Sequence, residues 1–163
     1  KEALMIQHAE AGDLPRISDI YKHARQFMAE HNNPTQWNNN FPSEELLREC
    51  LHDRRLYAVT EQGIIHGVFA FAVGEDATYQ VIYQGAWLSD APYGAIHMVA
   101  SDGETHGLLG RIVAYCEQQI DHLRIDTHRD NHIMQHLIEK HGFQKCGIIN
   151  AQDGTPRIAY EKL

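Results

Sequence analysis

Two histidines in this chain could take up a proton near neutral pH. His97 lies in the apolar segment of residues 95–100, and His128 directly follows the β-rich segment of residues 123–127. An unperturbed imidazole has a pKa near 6.5, so either side chain could serve as a general base. For His97 the alternative is a hydrogen-bonded core histidine, because a polar group inside an apolar strand is usually paired.

A glycine-rich loop follows His97. Residues 103–110 read GETHGLLG and connect an apolar strand to a helical pattern. Backbone N–H groups and the positive end of the helix dipole can hold a phosphate at such a junction. The loop is neither a Walker loop nor a G-x-G-x-x-G loop. A plain connection between two elements is the alternative.

A second junction between a strand and a helix lies further along the chain, at Asn131. Residues 123–143 read LRIDTHRDNHIMQHLIEKHGF, which predicts a strand, a polar turn and a helix that ends before Gly142. If the two strands are neighbours in the sheet, both helix N-termini face one cleft. That arrangement suits a long ligand with phosphates at one end and amides along its body.

Other catalytic patterns fit this sequence less well. A zinc site could be drawn from His128 and His132 with Asp126 and Asp130, but spacing across a strand–helix junction does not place two side chains on one face. The segment HRDN is not a kinase catalytic loop, because Gln135 stands where that loop needs an asparagine, and G-x-S-x-G is absent. We predict no metal site, and a metal-dependent hydrolase remains the weaker alternative.

The spacing of apolar residues predicts the elements that position these groups. Apolar residues recur at helical spacing within residues 14–28, 46–51, 109–120 and 133–138. Strands are predicted at residues 3–9, 56–60, 64–73, 95–100, 123–127, 143–150 and 157–163. The resulting order is β, α, α, β, β, β, α, β, α, β, β. Such mixing without strict alternation favours an α+β, or mixed α/β three-layer, fold over a doubly wound one.

Cap residues are predicted to bound the helices. Asp13 is a good N-cap for the first helix, and Ser43 opens the second. Asp130 or Asn131 caps the fourth helix, and Gly142 ends it.

Length and composition limit the class of protein. A chain of 163 residues predicts one domain, residues 1–163. Acidic residues outnumber basic ones by 22 to 14, so neither a nucleic acid nor a membrane is expected as a partner. Three widely spaced cysteines, Cys50, Cys116 and Cys146, predict reduced and mostly buried thiols. No signal-peptide core is present, so we expect a cytoplasmic protein, and Met5 is a candidate start that would make residues 1–4 non-native.

The chain resembles the GCN5-related N-acetyltransferase (GNAT) superfamily over nearly its whole length. IQHAEAGDLPRISDIY resembles the first strand and helix of that superfamily, and IHMVASDGETHGLLGRIVAYCEQQ resembles its acetyl-CoA strand and pyrophosphate loop. RIDTHRDNHIMQHLIEKHGFQKCGII resembles its Asn-containing strand–helix–Gly-Phe signature. NPTQW, DATY and DTH are similar to segments of an uncharacterised bacterial branch.

The resemblance implies a fold, a co-substrate and a reaction. The implied fold is a central, mostly antiparallel sheet with a splayed parallel strand pair, flanked by about four helices. Acetyl-CoA would pass its acetyl group directly to a small-molecule or peptide amine in a ternary complex. Backbone N–H groups of residues 104–110 would hold the pyrophosphate, while residues 99–101 and Asn131 would align the pantetheine. A backbone N–H near Val99 would polarise the thioester carbonyl. The implied cofactor-binding residues are Val99, Ala100, Ser101, Glu104, Thr105, His106, Gly107, Leu108, Leu109, Gly110, Asn131 and Met134.

The chain departs from the family pattern at particular positions. The family loop reads Gln/Arg-x-x-Gly-x-Gly/Ala; here Glu104 stands first, Gly107 matches, and Leu109 stands last, followed by Gly110. Ile138 stands where a tyrosine usually protonates the departing CoA thiolate. We therefore expect Ile138→Tyr to raise the turnover number. A domain that binds CoA or a small ligand without turnover is the alternative function.

The acceptor amine would be deprotonated by His97 or His128. We predict a substrate pocket that contains Trp37, Tyr83, Trp87 and Asp126, although the three aromatic residues could equally belong to the core. Acidic side chains such as Glu75, Asp76 and Asp126 would favour a cationic substrate if they line this pocket. The resemblance is compatible with a homodimer, and the sequence does not identify the amine.

Overall fold

The order of strands and helices follows the apolar pattern of the sequence. A computed structural model of the protein describes residues 3–37 and 40–163. Short 3-10 turns are formed by Ala11–Asp13 and Ala77–Tyr79. The strands are β1 (Met5–His8), β2 (Leu56–Glu61), β3 (Ile64–Val73), β4 (Gly94–Ser101), β5 (Leu123–Thr127), β6 (Gln144–Asn150) and β7 (Pro156–Lys162). The helices are α1 (Leu14–Glu30), α2 (Glu44–His52), α3 (Leu108–Glu117) and α4 (His132–Lys140). The predicted order is therefore confirmed.

The strands form one mixed sheet in the order β1-β2-β3-β4-β5-β7-β6. Neighbouring strands run antiparallel except β4 and β5, which are parallel. These two strands pair only from Gly94 opposite Leu123 to Ile96 opposite Ile125. The predicted antiparallel sheet with a splayed parallel pair is confirmed.

A β-bulge lies in β4 where that strand leaves β5. His97 faces Ala70 and Ala100 faces Val68, so β4 holds one more residue than β3 across this interval. Met98, within the bulge, has a φ of 58°. A bulge bends its strand and leaves one residue outside the ladder. Since β4 stays paired with β3 while β5 stays paired with β7, a gap opens between β4 and β5.

The helices cover both faces of the sheet. On β2, Leu56 and Ala58 pack in the core beneath α1 and α2, whereas Tyr57 and Val59 pack in the core beneath α3 and α4. This alternation follows from the two-residue period of a strand. The predicted three-layer fold with four flanking helices is confirmed.

Polar caps and a glycine fix two of the helices. The Ser43 hydroxyl accepts the N–H of Leu46 at the start of α2, and the Asn131 side-chain oxygen accepts the N–H of Met134 at the start of α4. Asn131, rather than Asp130, is therefore the cap of α4. Gly142 follows that helix with a φ of 93°, in the region that favours glycine.

The predicted capping role of Asp13 needs correction. Asp13 stands at the N-cap position of α1, but its carboxylate accepts the N–H of Glu10 and no N–H of the helix. The reason is the 3-10 turn that precedes α1, because Glu10 and Asp13 cap that turn reciprocally.

All three cysteines are free and buried, as predicted. Burial, followed by the charge of Glu117, raises the pKa of Cys116 to about 12, so this side chain remains a thiol. No helix within the described ranges has the length and apolar character needed to cross a membrane.

Candidate active site

Two cavities lie where β4 and β5 separate. The outer cavity, of about 260 Å³, is bounded by α1, the end of β4 and the start of α4. The central cavity, of about 590 Å³, is bounded by β3, β4 and β5 together with residues of α2 and of the β6–β7 turn. Met28, Val99 and Met134 line both. The cavities therefore meet beside the β4 bulge.

Five predicted cofactor-binding residues line the outer cavity. Val99, Ala100 and Ser101 supply one wall from β4, and Asn131 and Met134 supply another from the start of α4. The structure thus brings together two segments that lie far apart in the sequence. They form a passage that leads to the bulge.

The loop before α3 presents free backbone donors. Gly107 is the N-cap of α3 and has a left-handed φ of 73°. Among the described residues, the N–H groups of Thr105, His106 and Gly107 have no backbone acceptor, and the first N–H groups of a helix lack one by geometry. The Thr105 hydroxyl is buried and has no partner within the described part of the chain. These donors suit a pyrophosphate, whose oxygens are acceptors only.

Asp102 anchors that loop. Its carboxylate accepts the N–H of Glu104 at 2.9 Å, Arg16 Nη2 at 2.6 Å and a hydrogen bond from His66 Nδ1 at 2.7 Å. Burial raises the pKa of Asp102, but the N–H of Glu104, His66 and Arg16 together lower it below its ordinary value. Because the N–H of Glu104 is engaged, the predicted donor set of residues 104–110 is reduced to residues 105–110.

His97 lies between two carboxylates on a wall of the central cavity. Its Nε2 is 2.7 Å from Asp76 Oδ2, and its Nδ1 is 3.6 Å from Asp126 Oδ2. The Tyr79 hydroxyl donates to the same Asp126 oxygen at 2.7 Å. The imidazole side chain is 32% exposed, so it is both hydrogen-bonded and open to the cavity.

The charges beside His97 change its titration. Burial lowers the pKa of His97, but the hydrogen bond to Asp76 and the charges of Asp126 and Asp76 raise it above its ordinary value overall. Burial raises the pKa of Asp76, whereas the hydrogen bonds from His97 and Thr78 and the charge of His97 bring it down to about 2. We expected His97 to have an unperturbed pKa, and this expectation was wrong. The sequence could not indicate the shift, because Asp76 and Asp126, which raise the pKa, lie in other parts of the chain.

His128 lies outside the walls of the central cavity. Its Nδ1 accepts the N–H of Asp130 at 3.0 Å, and its Nε2 is 3.3 Å from the Thr35 hydroxyl. Burial and then the charge of Arg157 lower the pKa of His128. The structure does not bring it together with His97; its Nδ1 stabilises the turn before α4, and its Nε2 faces the α1–α2 connection. No cluster of His, Cys, Asp or Glu suited to a metal ion occurs among residues 3–37 and 40–163.

Two of the four predicted pocket residues line the central cavity, namely Trp37 and Asp126. The other two do not. Tyr83 is 49% exposed and pairs through its backbone with Ile148. Trp87 donates its indole N–H to the Tyr79 carbonyl, and its ring covers the Arg124 guanidinium at 3.9 Å. The structure therefore does not place Tyr83 and Trp87 on the wall of the central cavity. An irregular segment has no period from which the direction of an aromatic side chain could be predicted.

Gln36 links the α1–α2 connection to the start of α4. Its Oε1 accepts from Asn33 Nδ2 and from Asn131 Nδ2, both at 2.9 Å, and its backbone carbonyl accepts from Arg157 Nη2 at 2.7 Å. One of the two side-chain N–H groups of Asn131 is thus already engaged, which leaves the other for the predicted hydrogen bond to pantetheine. Sequence reasoning noted the NPTQW segment that contains Gln36 but assigned it no role.

Charged side chains dominate the polar part of the central cavity. Its carboxylates are Glu49, Glu75, Asp76, Asp126 and Asp153, and its guanidinium groups belong to Arg55 and Arg157. Sequence reasoning anticipated three of these acids and missed both arginines. Arg157 could have been noticed as a charged residue inside the apolar pattern of the last strand.

Ile138 is fully buried in the core beneath α3 and α4. Its side chain lines neither cavity, and a larger tyrosine side chain would have to fit into the core that Ile138 fills. We now expect Ile138→Tyr to destabilise the protein by about 1–3 kcal/mol through overpacking. This replaces the expectation that it raises turnover. Urea denaturation measures the loss, and Ile133→Tyr, at a position 46% exposed on the same helix, is the matched control. An Ile138→Tyr variant as stable as the parent would contradict this description of the core.

Solved structures with a similar fold include acetyltransferases of the GNAT family. No protein-family model matches the sequence. No curated protein matches it either. An acetyltransferase of the GNAT family from Streptococcus agalactiae is 27% identical, with 98% of this chain and 95% of that chain covered and a TM-score of 0.80. A GNAT-family acetyltransferase from Listeria monocytogenes is 13% identical, with 99% of each chain covered and a TM-score of 0.71. An N-acetylglutamate synthase from Neisseria gonorrhoeae, solved with coenzyme A and N-acetyl-glutamate, is 16% identical over 99% of this chain and 35% of that chain, with a TM-score of 0.62. The last two likenesses concern the fold alone.

Proposed function

We propose that the chain, which belongs to the GCN5-related N-acetyltransferase superfamily, transfers an acetyl group from acetyl-CoA to an amine in one ternary complex. The observation that carries this proposal is the meeting of two cavities at the β4 bulge. One cavity reaches Gly103, at the start of the loop before α3, and the other holds carboxylates and His97. The Streptococcus agalactiae neighbour supports acyl transfer as the general chemistry.

The acyl donor would bind along the outer cavity. The free N–H groups of residues 105–110 and the buried Thr105 hydroxyl would hold its pyrophosphate. The wall formed by β4 and the start of α4 would align the pantetheine. The thioester would then lie at the junction of the cavities, beside Val99.

The β4 bulge supplies the group that would polarise the thioester carbonyl. A bulge leaves a backbone N–H outside the ladder, here at Met98 or Val99. An N–H fixed in this way can stabilise negative charge on the carbonyl oxygen as the amine attacks. The Tyr21 hydroxyl donates to the Met98 carbonyl at 2.7 Å, so a buried side chain of α1 holds the bulge in place.

His97 is our candidate for the general base. When the imidazole is neutral, a proton on Nε2 donates to Asp76, and Nδ1 keeps its lone pair on the side of Asp126. An ammonium group held by the Asp126 carboxylate would pass a proton to Nδ1 and could then attack the thioester. Because the pKa of His97 is raised, the neutral form needs a pH above the ordinary histidine range.

Protonation of the departing thiolate is assigned to solvent. Ile138 cannot donate a proton, and the hydroxyls of Tyr21 and Tyr79 already donate to Met98 and Asp126. A thiolate leaves readily without a general acid, so the reaction does not require one. The chain differs here from the family pattern to which it is similar.

Tyr21→Phe tests the role of the bulge. Loss of the hydroxyl leaves the partly buried Met98 carbonyl without this donor, which costs about 0.5–1.5 kcal/mol. We expect the turnover number to fall by up to about tenfold, with little change in the KM for acetyl-CoA. Tyr160→Phe is the matched control, because it removes a buried tyrosine hydroxyl that bonds Glu139 instead. Equal turnover numbers in the parent and in Tyr21→Phe would show that the Tyr21 hydroxyl does not contribute to catalysis.

Steady-state release of CoA thiol over a panel of amines tests the proposed function. We expect release that depends on the amine and yields the N-acetyl product in equal amount. The alternative function is a domain that binds CoA or a small ligand without turnover. Tight acetyl-CoA binding by calorimetry, with no amine-dependent release at pH 7 to 9, would favour that alternative.

A further inference from the structure

Arg157 is a buried cation on the wall of the central cavity. The residue is only 6% exposed, and it lies on β7 opposite Ile149, another residue of that wall. Its Nη1 donates to the Thr155 hydroxyl and the Pro156 carbonyl, and its Nη2 donates to the Gln36 carbonyl. All three acceptors are uncharged.

The positive charge of Arg157 has no direct counterion in the described part of the chain. No carboxylate oxygen there lies within 4.0 Å of it, and its Nε–H has no acceptor. Arg55, on the same cavity, differs because its guanidinium contacts Asp53 at 3.4 Å and Glu49 at 3.9 Å. A buried guanidinium without a paired anion is costly, and carboxylates bind such a fork well. Burial lowers the pKa of Arg157 more than the charges of Asp126 and Asp153 raise it, and neither carboxylate contacts the guanidinium, which is therefore open to a further anion.

Asp126 provides a negative charge on the same face of the sheet as Arg157. In the β5–β7 register Asp126 pairs with Ala159, and Arg157 is two residues from Ala159 along β7. Side chains in this diagonal relation lie on one face, with their Cβ atoms about 7–8 Å apart. One Asp126 oxygen accepts from Tyr79, and the other has no donor among the described residues.

We propose that the acceptor is an amino acid, whose carboxylate binds Arg157 and whose ammonium group lies at Asp126 beside His97. This inference rests on the proposed function, because it names the acceptor of that same reaction. The charges of Arg157 and Asp126 are complementary to the carboxylate and the ammonium group of a zwitterion. A diamine would place a second cation against Arg157, which electrostatics disfavours.

The test compares substrates that differ only in the carboxylate. The probes are the protein amino acids and the carboxamide of each, assayed by CoA thiol release from acetyl-CoA. With the best amino acid, we expect kcat/KM to exceed that of its carboxamide by about 10- to 100-fold, as for the loss of a charge-assisted hydrogen bond. Diamines such as putrescine complete the panel.

Variants of Arg157 separate recognition from structure. In Arg157→Gln the ratio of kcat/KM for the amino acid to kcat/KM for its carboxamide should fall to about one. Arg157→Lys keeps the charge and should retain part of the preference, even if the contact with Gln36 is weakened. Arg55→Gln removes the other cavity arginine and should leave the preference unchanged, because that group has carboxylate partners of its own. Thermal melting checks that each variant is folded.

The possible outcomes distinguish the inference from the function on which it rests. Turnover of amines with no preference for the carboxylate, or a preference that survives in folded Arg157→Gln, would overturn the inference and leave acyl transfer intact. Exclusive turnover of diamines would do the same. Acetyl-CoA binding without thiol release for any probe would overturn the proposed function, and the inference with it.

Discussion

Replacing His97 by glutamine is expected to lower the turnover number by about 10²- to 10⁴-fold, the range for the loss of a general base. Glutamine keeps a hydrogen-bonding side chain of similar reach but cannot take up the proton. In the parent, the rate should rise with pH through the pKa of His97, which lies above its ordinary value. This rise, which is the acidic limb of the pH–rate profile, should be absent in His97→Gln.

The Asp76→Asn variant tests the cause of the shifted titration. Asp76 makes the hydrogen bond that contributes most to raising the pKa of His97, so its neutral analogue should move the acidic limb toward lower pH. His52→Gln, in an exposed pair with Asp53, is the control and should leave the profile unchanged. A limb that persists in His97→Gln would exclude His97 as the base.

The same titration should appear in the stability of the protein. A group whose pKa is raised in the folded state stabilises that state fully below its unfolded pKa and loses the effect as the pH rises through the folded pKa. For His97 the stabilisation is lost as the pH rises above about 6.5. The free energy of unfolding should therefore decline there in the parent more than in His97→Gln.

Gly107→Glu is expected to weaken acetyl-CoA binding by at least about tenfold, because each charge-assisted hydrogen bond that is lost costs about 1.5–3 kcal/mol. The new side chain would place a negative charge at the N-terminus of α3, among the free N–H groups of the loop. Nothing lies within 4 Å of a Cβ atom at this position, so the change does not disturb packing. Calorimetry measures the Kd.

Gly63→Glu controls for backbone strain and charge. Gly63 has a φ of 78° and open space around it, as Gly107 does, but it lies in the turn between β2 and β3. It should lose stability comparably and keep its affinity for acetyl-CoA. An unchanged Kd in folded Gly107→Glu would show that the loop does not hold the pyrophosphate.

Local sequence signals predicted the fold well because the decisive interactions are local or periodic. The alternation along β2 assigns its residues to the two cores, and the cap at Asn131 marks the start of α4. Asp13 shows the limit of such signals, since one additional 3-10 turn changed which N–H its carboxylate accepts.

The chemistry of the site was predicted less completely because it depends on contacts between distant segments. The raised pKa of His97 arises from Asp76 and Asp126, and the order around Asn131 arises from Gln36. Neither pairing has a sequence spacing that could indicate it. Arg157 stands out as a charged residue in the apolar pattern of the last strand, but its role could not be predicted because the cavity that it lines forms only when β5 and β7 pair.

A crystal structure of the protein with acetyl-CoA tests the central claim most directly. We predict that the pyrophosphate lies at the N–H groups of residues 105–110 and that the pantetheine follows the outer cavity. The thioester oxygen should lie within hydrogen-bond distance of a backbone N–H of the bulge at Met98 or Val99, with the acetyl methyl group directed into the central cavity beside His97. Acetyl-CoA bound elsewhere, or with its acetyl group outside the junction of the two cavities, would contradict this account.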